Sequence, residues 1–338
     1  MTRRDRTTGL PRQRERAGAA QQRTFLGLHW TDTYTRLAIL GAIVVLGLVV
    51  LGMIAYRWYD ENVALPNHVV LRVDDIEYDL AYYTERLPSF AQANPSLTAG
   101  FREPALLNKL EEEALTILAA RERGVDLSDN AVTAWIAEDL GVPVGGSGSS
   151  FDTLYRQRLR TLGLSNDDYR RLAIAQLSDE ELIAILREER GPTGETYTLR
   201  VVSVPERADA DAIYTRIEAG EDMGTIAQTE SNDLASRQED GLTEPTPIEL
   251  YQDNVQEALV GLDENALVGP VEVGNNFWIL RIERIQADGT YTDNQRDQLA
   301  RLALIALIDE QRTLVIIEKS LGSRETDWAY ENADASGG

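Results

Sequence analysis

Residues Leu37–Tyr56 form an unbroken run of twenty residues without a charge, LAILGAIVVLGLVVLGMIAY. Nothing else in the chain restricts its fold as strongly. A helix of that length, at about 1.5 Å per residue, spans about 30 Å, the hydrocarbon thickness of a bilayer. Arg36 precedes the run, and Arg57-Trp58-Tyr59 follow it as an interfacial anchor pattern. Residues 1–36 hold eight arginines against three acids, whereas the whole chain has 33 basic and 56 acidic residues and a net charge of −23. The expectation is a single-pass transmembrane helix at 37–56, a cytoplasmic basic tail at 1–36, and acidic domains outside the cytoplasm. A cleaved signal peptide is the competing reading. The long lead and the lack of a small-x-small cleavage site weigh against it. The basic tail shows no helix-period apolar face and reads as disordered.

Composition narrows the chemistry. There is no cysteine, and the histidines are His29 and His68 alone. Disulfides, thiol nucleophiles and Cys-ligated metals are excluded, and a His-based triad or multi-His metal site lacks the residues. No cofactor and no metal are expected. The acidic balance argues against nucleic acid as a partner, because phosphate neutralisation needs a dense basic surface. With 43% apolar residues and 338 positions, about two folded domains are affordable.

Periodicity places the elements. VVLRVDDIEY (69–78) alternates as a short strand. Pro104 reads as the opening of a helix closed by Gly124, with Leu107, Leu110, Ala114, Ile117 and Leu118 on one stripe and Glu111-Glu112-Glu113 as a solvated face. Ser128 caps a helix carrying Val132, Trp135, Ile136 and Leu140. VPVGGSGSS (142–150) is a loop without the Lys-Ser/Thr ending of a phosphate loop. Helices follow at 151–162 and, behind the capping residue Ser165, through Leu172, Ala175, Leu182 and Leu186. GPTG (191–194) breaks the pattern and marks a domain boundary. Then come a strand (197–204), helices at 208–220 and 223–231, an acidic loop to 247, a helix at 248–262, and a hairpin around Gly274-Asn275-Asn276 that closes with FWILRIERI. Thr292-x-x-Gln295 caps a long helix reaching 321 and carrying Leu299, Leu302, Ile305, Leu314, Ile316 and Ile317. Residues 322–338 read as a loose tail in which Trp328 and Tyr330 are candidates for docking. The fold class expected is α+β.

Several stretches resemble known families. RVVSV, AIYTRIEAGEDMGTIAQTES, SNDLASRQEDGL, VQEALVGLDENALVGPVEV and FWILRIE resemble, in order and spacing, a parvulin-type peptidyl-prolyl isomerase domain over 195–286. VVLRVDDIEY, ALLNKLEEEALTILAARERGV and GLSNDDYRRLAIAQL, with the last helix, resemble the chaperone module of SurA, PrsA and PpiD. The resemblance implies a mainly helical module over 68–190 completed by the helix at 292–321, with a small β-α-α-α-β-β domain between them. It also implies an extracytoplasmic chaperone or foldase whose partners are unfolded or nascent exported polypeptides. The last helix should pack back on 104–190, because the small domain cannot cover it.

The resemblance also carries site residues, and it departs from the family at the most informative ones. The first-strand histidine of parvulins falls on Val201, and the closing-strand histidine falls on Trp278, after Phe277. The acidic or Cys position of the central loop falls on Asp233, and the proline-pocket positions fall near Tyr251 and Val255. Asp233 would either polarise the amide or shape a turn. Trp278 would either floor a peptide groove or pack the sheet. Tyr251 would edge a pocket or stand partly exposed, and Met223 would be core. Three functions are therefore open: a chaperone whose parvulin-like domain has lost catalysis, an active isomerase with a histidine-free site, or a scaffold of an envelope complex.

Overall fold

The computed structural model describes residues 24–25, 28–29 and 32–333. The expectation for the basic tail therefore lies outside the described residues as far as position 23, as does that for the last five positions. The chain divides into two units, Met1–Pro66 and Asn67–Gly338.

In the first unit, Thr24–Phe25 pairs antiparallel with Leu28–His29. Helix α1 follows (Asp32–Tyr59), extended by a π turn over Asp60–Ala64. Every side chain from position 36 to 59 is exposed. The span Arg36–Ala64 has a mean hydropathy of 3.0 over its most apolar window and is the one helix among the described residues long and apolar enough to cross a membrane.

The second unit opens with a hairpin, β1 (Val69–Val73) and β2 (Ile76–Asp79), turned by Asp74 at φ 51°, a conformation Asp tolerates. Five helices follow and form the helical module: α2 (Leu80–Ala93), α3 (Ala99–Glu122), α4 (Asp129–Asp139), α5 (Ser150–Leu162) and α6 (Asn166–Arg190); the small domain then begins with strand β3 (Thr193–Val204) and helix α7 (Arg207–Glu218). Ser128, Ser149 and Ser165 cap α4, α5 and α6 with their hydroxyls, satisfying a backbone N–H that the first turn leaves free. Helix α2 was not legible as a separate element. Asp79 starts it by accepting from the Tyr82 N–H at 2.8 Å. Helix α3 begins five residues before Pro104, which sits inside it. The acidic run is not a solvated face. Glu111 and Glu113 are buried, Glu111 against Arg312 and Lys319 and Glu113 against Arg86, because α3 is wrapped by its neighbours on both sides.

The small domain continues with α8 (Met223–Glu230), the four-residue α9 (Leu234–Arg237), a 3-10 turn at Ile248–Leu250, α10 (Asp253–Leu259), β4 (Leu267–Val273) and β5 (Asn276–Thr290). The expected helix at 248–262 is thus a 3-10 turn followed by a shorter α-helix. The sheet is antiparallel in the order β3-β5-β4. Alternation along β3 and β5 sends Val202, Val204, Phe277 and Ile279 to one face, beneath α7 and α8, where Met223 is core as expected. It sends Leu199, Val201, Trp278 and Leu280 to the other face, beneath α10. The domain hangs from the helical module by the paired ends of β3 and β5. There Thr193 faces Thr290 and Gly194 faces Gly289. A Cβ on Gly194 would lie 1.9 Å from the Tyr291 hydroxyl, so only glycine fits the neck.

Helix α11 (Asp293–Leu314) opens with the expected Thr292/Gln295 capping box. It packs back on α6 and α3, as anticipated. Arg187 of α6 bonds Asp293 at 2.6 Å, and Arg312 of α11 bonds Glu111 of α3 at 2.8 Å. Its buried stripe is Leu299, Leu304 and Ile308, whereas Leu302 and Ile305 are exposed. The helix does not reach 321. Val315 is extended, and β6 (Ile317–Lys319) pairs antiparallel with β1, giving a sheet β2-β1-β6. The run Val315-Ile316-Ile317 is poor in helix propensity and fits the open edge of β1. Residues 322–338 are not wholly loose. Helix α12 (Ser323–Ala333) packs on α2, buries Ala329 and Ala333, and donates the Tyr330 hydroxyl to Glu103. The chain is α+β and mostly helical.

Candidate functional site

Two regions gather chemistry-bearing side chains. The first is the β3–β5 face under α10. Val201 stands opposite Leu280, and Ser203 stands opposite Trp278. Val201, Val255, Leu259 and Leu280 are buried there, with Tyr251, Trp278, Val268 and Val271 partly buried around them. The structure therefore brings four of the sequence-derived residues together: Val201, Tyr251, Val255 and Trp278. Phe277 is not with them. As the neighbour of Trp278 on a strand it points through the sheet, packs near Leu267 and Tyr214, and lies under the Arg207 guanidinium at 6.0 Å.

Asp233 is used locally. It caps α9, accepting from the Ala235 N–H at 3.3 Å and from the Ser236 hydroxyl. The turn-forming reading of Asp233 describes its geometry. The loop around it is tied to β3. Asn232 N–H donates to the Ser203 carbonyl at 2.7 Å, and Val201 N–H donates to the Gly241 carbonyl at 2.8 Å. Gly241 sits at φ 82°, and a Cβ there would lie 2.7 Å from both the Val201 carbonyl oxygen and the Ala227 Cβ. Leu242 thus forms a β-bridge with Arg200 on the outer edge of β3.

The electrostatics of the face are sparse. Its ionisable groups are two tyrosine hydroxyls: burial pushes up the pKa of Tyr251 against the opposing pull of Thr243 and Thr246, and burial followed by Glu195 pushes up that of Tyr197, so neither is charged at physiological pH. On the central strand β5, Glu283 bonds Arg200 and Arg281 at 2.7 Å each; burial works to raise its pKa, and the two guanidiniums hold it below the usual carboxylate range. The face can grip apolar groups. No histidine lies among the described residues of this domain.

The second region is a groove of the helical module, where binding of extended apolar segments is expected. A cleft of about 660 Å³ opens in the helical module among α2, α3, α4, α5 and α6. Phe90, Ala93, Trp135 and Leu172 give it apolar walls, while Arg86, Glu113, Asp179 and Glu180 give it charge. Trp135 and Leu172 were legible only as helix-stripe residues. The missing signal was α2, which supplies Arg86 and Phe90.

Residues 187–295 match the family model of the PPIC-type PPIASE domain. The chain carries a parvulin-type domain. The match runs from the last turn of α6 through β5 to the first turn of α11, so it takes in the neck as well as the sheet. No curated protein sequence matches the chain. Among solved structures, PrsA from Bacillus cereus is similar at 15% identity and a TM-score of 0.40, over 69% of this chain and 94% of that one. PrsA from Bacillus anthracis is similar at 14% and 0.37, over 65% and 94%. A SurA-like chaperone of Campylobacter jejuni is similar at 12% and 0.27, over 73% and 94%. These likenesses are distant, and the assignment of the parvulin-type domain rests on the 187–295 match. Within it, Val201 and Trp278 hold the two positions that the sequence resemblance gives to histidine.

Proposed function

We propose that the chain is a membrane-anchored extracytoplasmic chaperone that holds unfolded exported polypeptides, with a parvulin-type domain that binds chain without speeding prolyl rotation. The observation that carries this reading is the β3–β5 face, where Val201, Val255, Tyr251 and Trp278 gather in one apolar cluster and the two histidine positions of the resemblance are filled by Val201 and Trp278. Rotation about an X–Pro bond meets a barrier of about 20 kcal/mol, and lowering it needs groups that favour the twisted amide over the planar one. Apolar contact binds both forms alike, which gives affinity without rate. The cleft of the helical module supports polypeptide binding, since unfolded chains expose the apolar surface its walls can cover. The all-round apolar α1 supports the anchor, and the arginine excess before it supports a cytoplasmic N-terminus.

The test uses the full chain in detergent micelles. Prolyl-peptide isomerisation should proceed at the uncatalysed rate, while aggregation of a proline-free client should be suppressed. A clear rate acceleration would instead support an active histidine-free isomerase. Failure to suppress aggregation at stoichiometric excess would support a scaffold. Protease protection in inverted vesicles tests the orientation: residues 67–338 should be shielded.

A further inference from the structure

The cleft of the helical module holds more negative charge than its own cations neutralise. Its walls carry Arg86, Lys109 and Arg158 together with Glu113, Asp139, Asp179 and Glu180. Arg86 is taken by Glu113 at 2.8 Å and Arg158 by Asp139 at 2.9 Å. Lys109 pairs at 3.3 Å with Glu112, a carboxylate of its own helix that does not line the cleft. Among the described residues, neither Asp179 nor Glu180 has an ion-pair partner within 4 Å. Glu180 accepts the Trp135 indole N–H at 2.8 Å, which sets the indole beside the two carboxylates. Asp179 is only partly exposed, and its carboxylate lies in a cleft where apolar walls reduce the screening of charge by water.

We propose that this cleft receives extended apolar polypeptide segments that carry an arginine or lysine, with the cation seated at Asp179 and Glu180 beside Trp135. The proposal deepens the chaperone reading and rests on it. Charge complementarity singles out this occupant. A cation arriving here breaks no existing ion pair, because the cleft's other carboxylates are already matched. It removes the repulsion between two adjacent acids. The Trp135 indole gives the stem of an arginine or lysine an apolar wall to lie against. Phe90, Ala93 and Leu172 cover the flanking apolar residues, and the acidity of the chain steers basic segments toward it.

The experiment measures binding of two labelled peptides to the full chain in detergent micelles. They share the same aromatic and aliphatic residues and differ only in carrying arginines or glutamines at the same positions. The arginine peptide should bind about tenfold tighter, as expected for a charge-assisted pair, and the ratio should shrink toward one at about 1 M salt. The double variant Asp179→Asn/Glu180→Gln should bring the ratio close to one. The charge-matched control Glu239→Gln/Glu244→Gln, on the exposed loop of the small domain, should keep it.

A ratio near one in the unaltered chain overturns the proposal, as does a ratio that survives in Asp179→Asn/Glu180→Gln. Loss of the ratio in the control also overturns it, because the preference would then be general acidity. If the cleft variant melts early, the unaltered chain and its salt dependence decide. Equal binding of both peptides leaves the chaperone reading standing and removes only the basic preference. Binding of neither, with no suppression of aggregation, removes both.

Discussion

Arg86 and Glu113 form a bidentate pair in the helical module, at 3.0 and 2.8 Å, with each side chain only 8% exposed. The same guanidinium donates to the Tyr82 hydroxyl at 2.7 Å. Pairs on the surface are worth about 0–1 kcal/mol because water screens them, but that figure does not apply at this burial. Removing one partner strands the other as an uncompensated buried charge, at a cost of about 3–5 kcal/mol. Removing both and filling the space with apolar groups is near neutral, since neither charge is then desolvated without a partner.

Glu113→Leu is therefore expected to lose about 3–5 kcal/mol. Arg86→Met is expected to lose about the same plus about 1 kcal/mol for the Tyr82 hydroxyl. The double variant Arg86→Met/Glu113→Leu should be more stable than either single one. The assay is urea unfolding of the four proteins followed by far-UV circular dichroism, closed into a double-mutant cycle. Costs that add, or a single-variant loss under about 1 kcal/mol, would refute the account of a desolvated pair.

Three further outcomes follow from the same coordinates. Asp233→Ala removes the α9 cap and should cost about 1 kcal/mol while leaving prolyl turnover where it was; a fall in measured turnover would make Asp233 catalytic after all. Burial works to raise the Glu111 carboxyl, but Lys319 and Arg312 outweigh it and hold it below the ordinary value of 4.5. A lowered folded-state pKa contributes stability that is present above about pH 4.5 and lost as the pH falls through the folded value, so hydrogen exchange over residues 312–319 should accelerate there first, and an unchanged pattern would count against the clamp. Gly241→Ala meets a positive φ and two contacts of 2.7 Å, so it should cost about 1–3 kcal/mol in thermal unfolding, and a silent substitution would show that the loop is not tied to β3 as described.

Much of the scaffold was readable because its signals are local. The serine caps of α4 and α6, the Thr292/Gln295 box and the alternation in β3 and β5 each lie within a few residues of the element they specify. Site positions were half readable. Alternation put Val201 and Trp278 on one face, and the same alternation excludes Phe277, which had been grouped with them. Asp233 carried an ambiguity that only its hydrogen bonds to Ala235 and Ser236 resolve.

From its own order of residues the chain determined an uncharged helix long enough for a bilayer, the absence of histidine from the parvulin-type domain, and the helix-then-sheet plan. Tertiary structure alone decided that Ile317–Lys319 leave the last helix to pair with β1, and that two of three consecutive glutamates are buried. It also decided that α12 docks and that helices α2 to α6 line a cleft with two carboxylates outside any ion pair. The reason is distance along the chain. Arg312 and Glu111 are 201 residues apart, and such a partner leaves no periodic trace in either segment. Periodicity reports which side of an element is apolar; what covers that side, and which charge meets which, depends on how the elements pack.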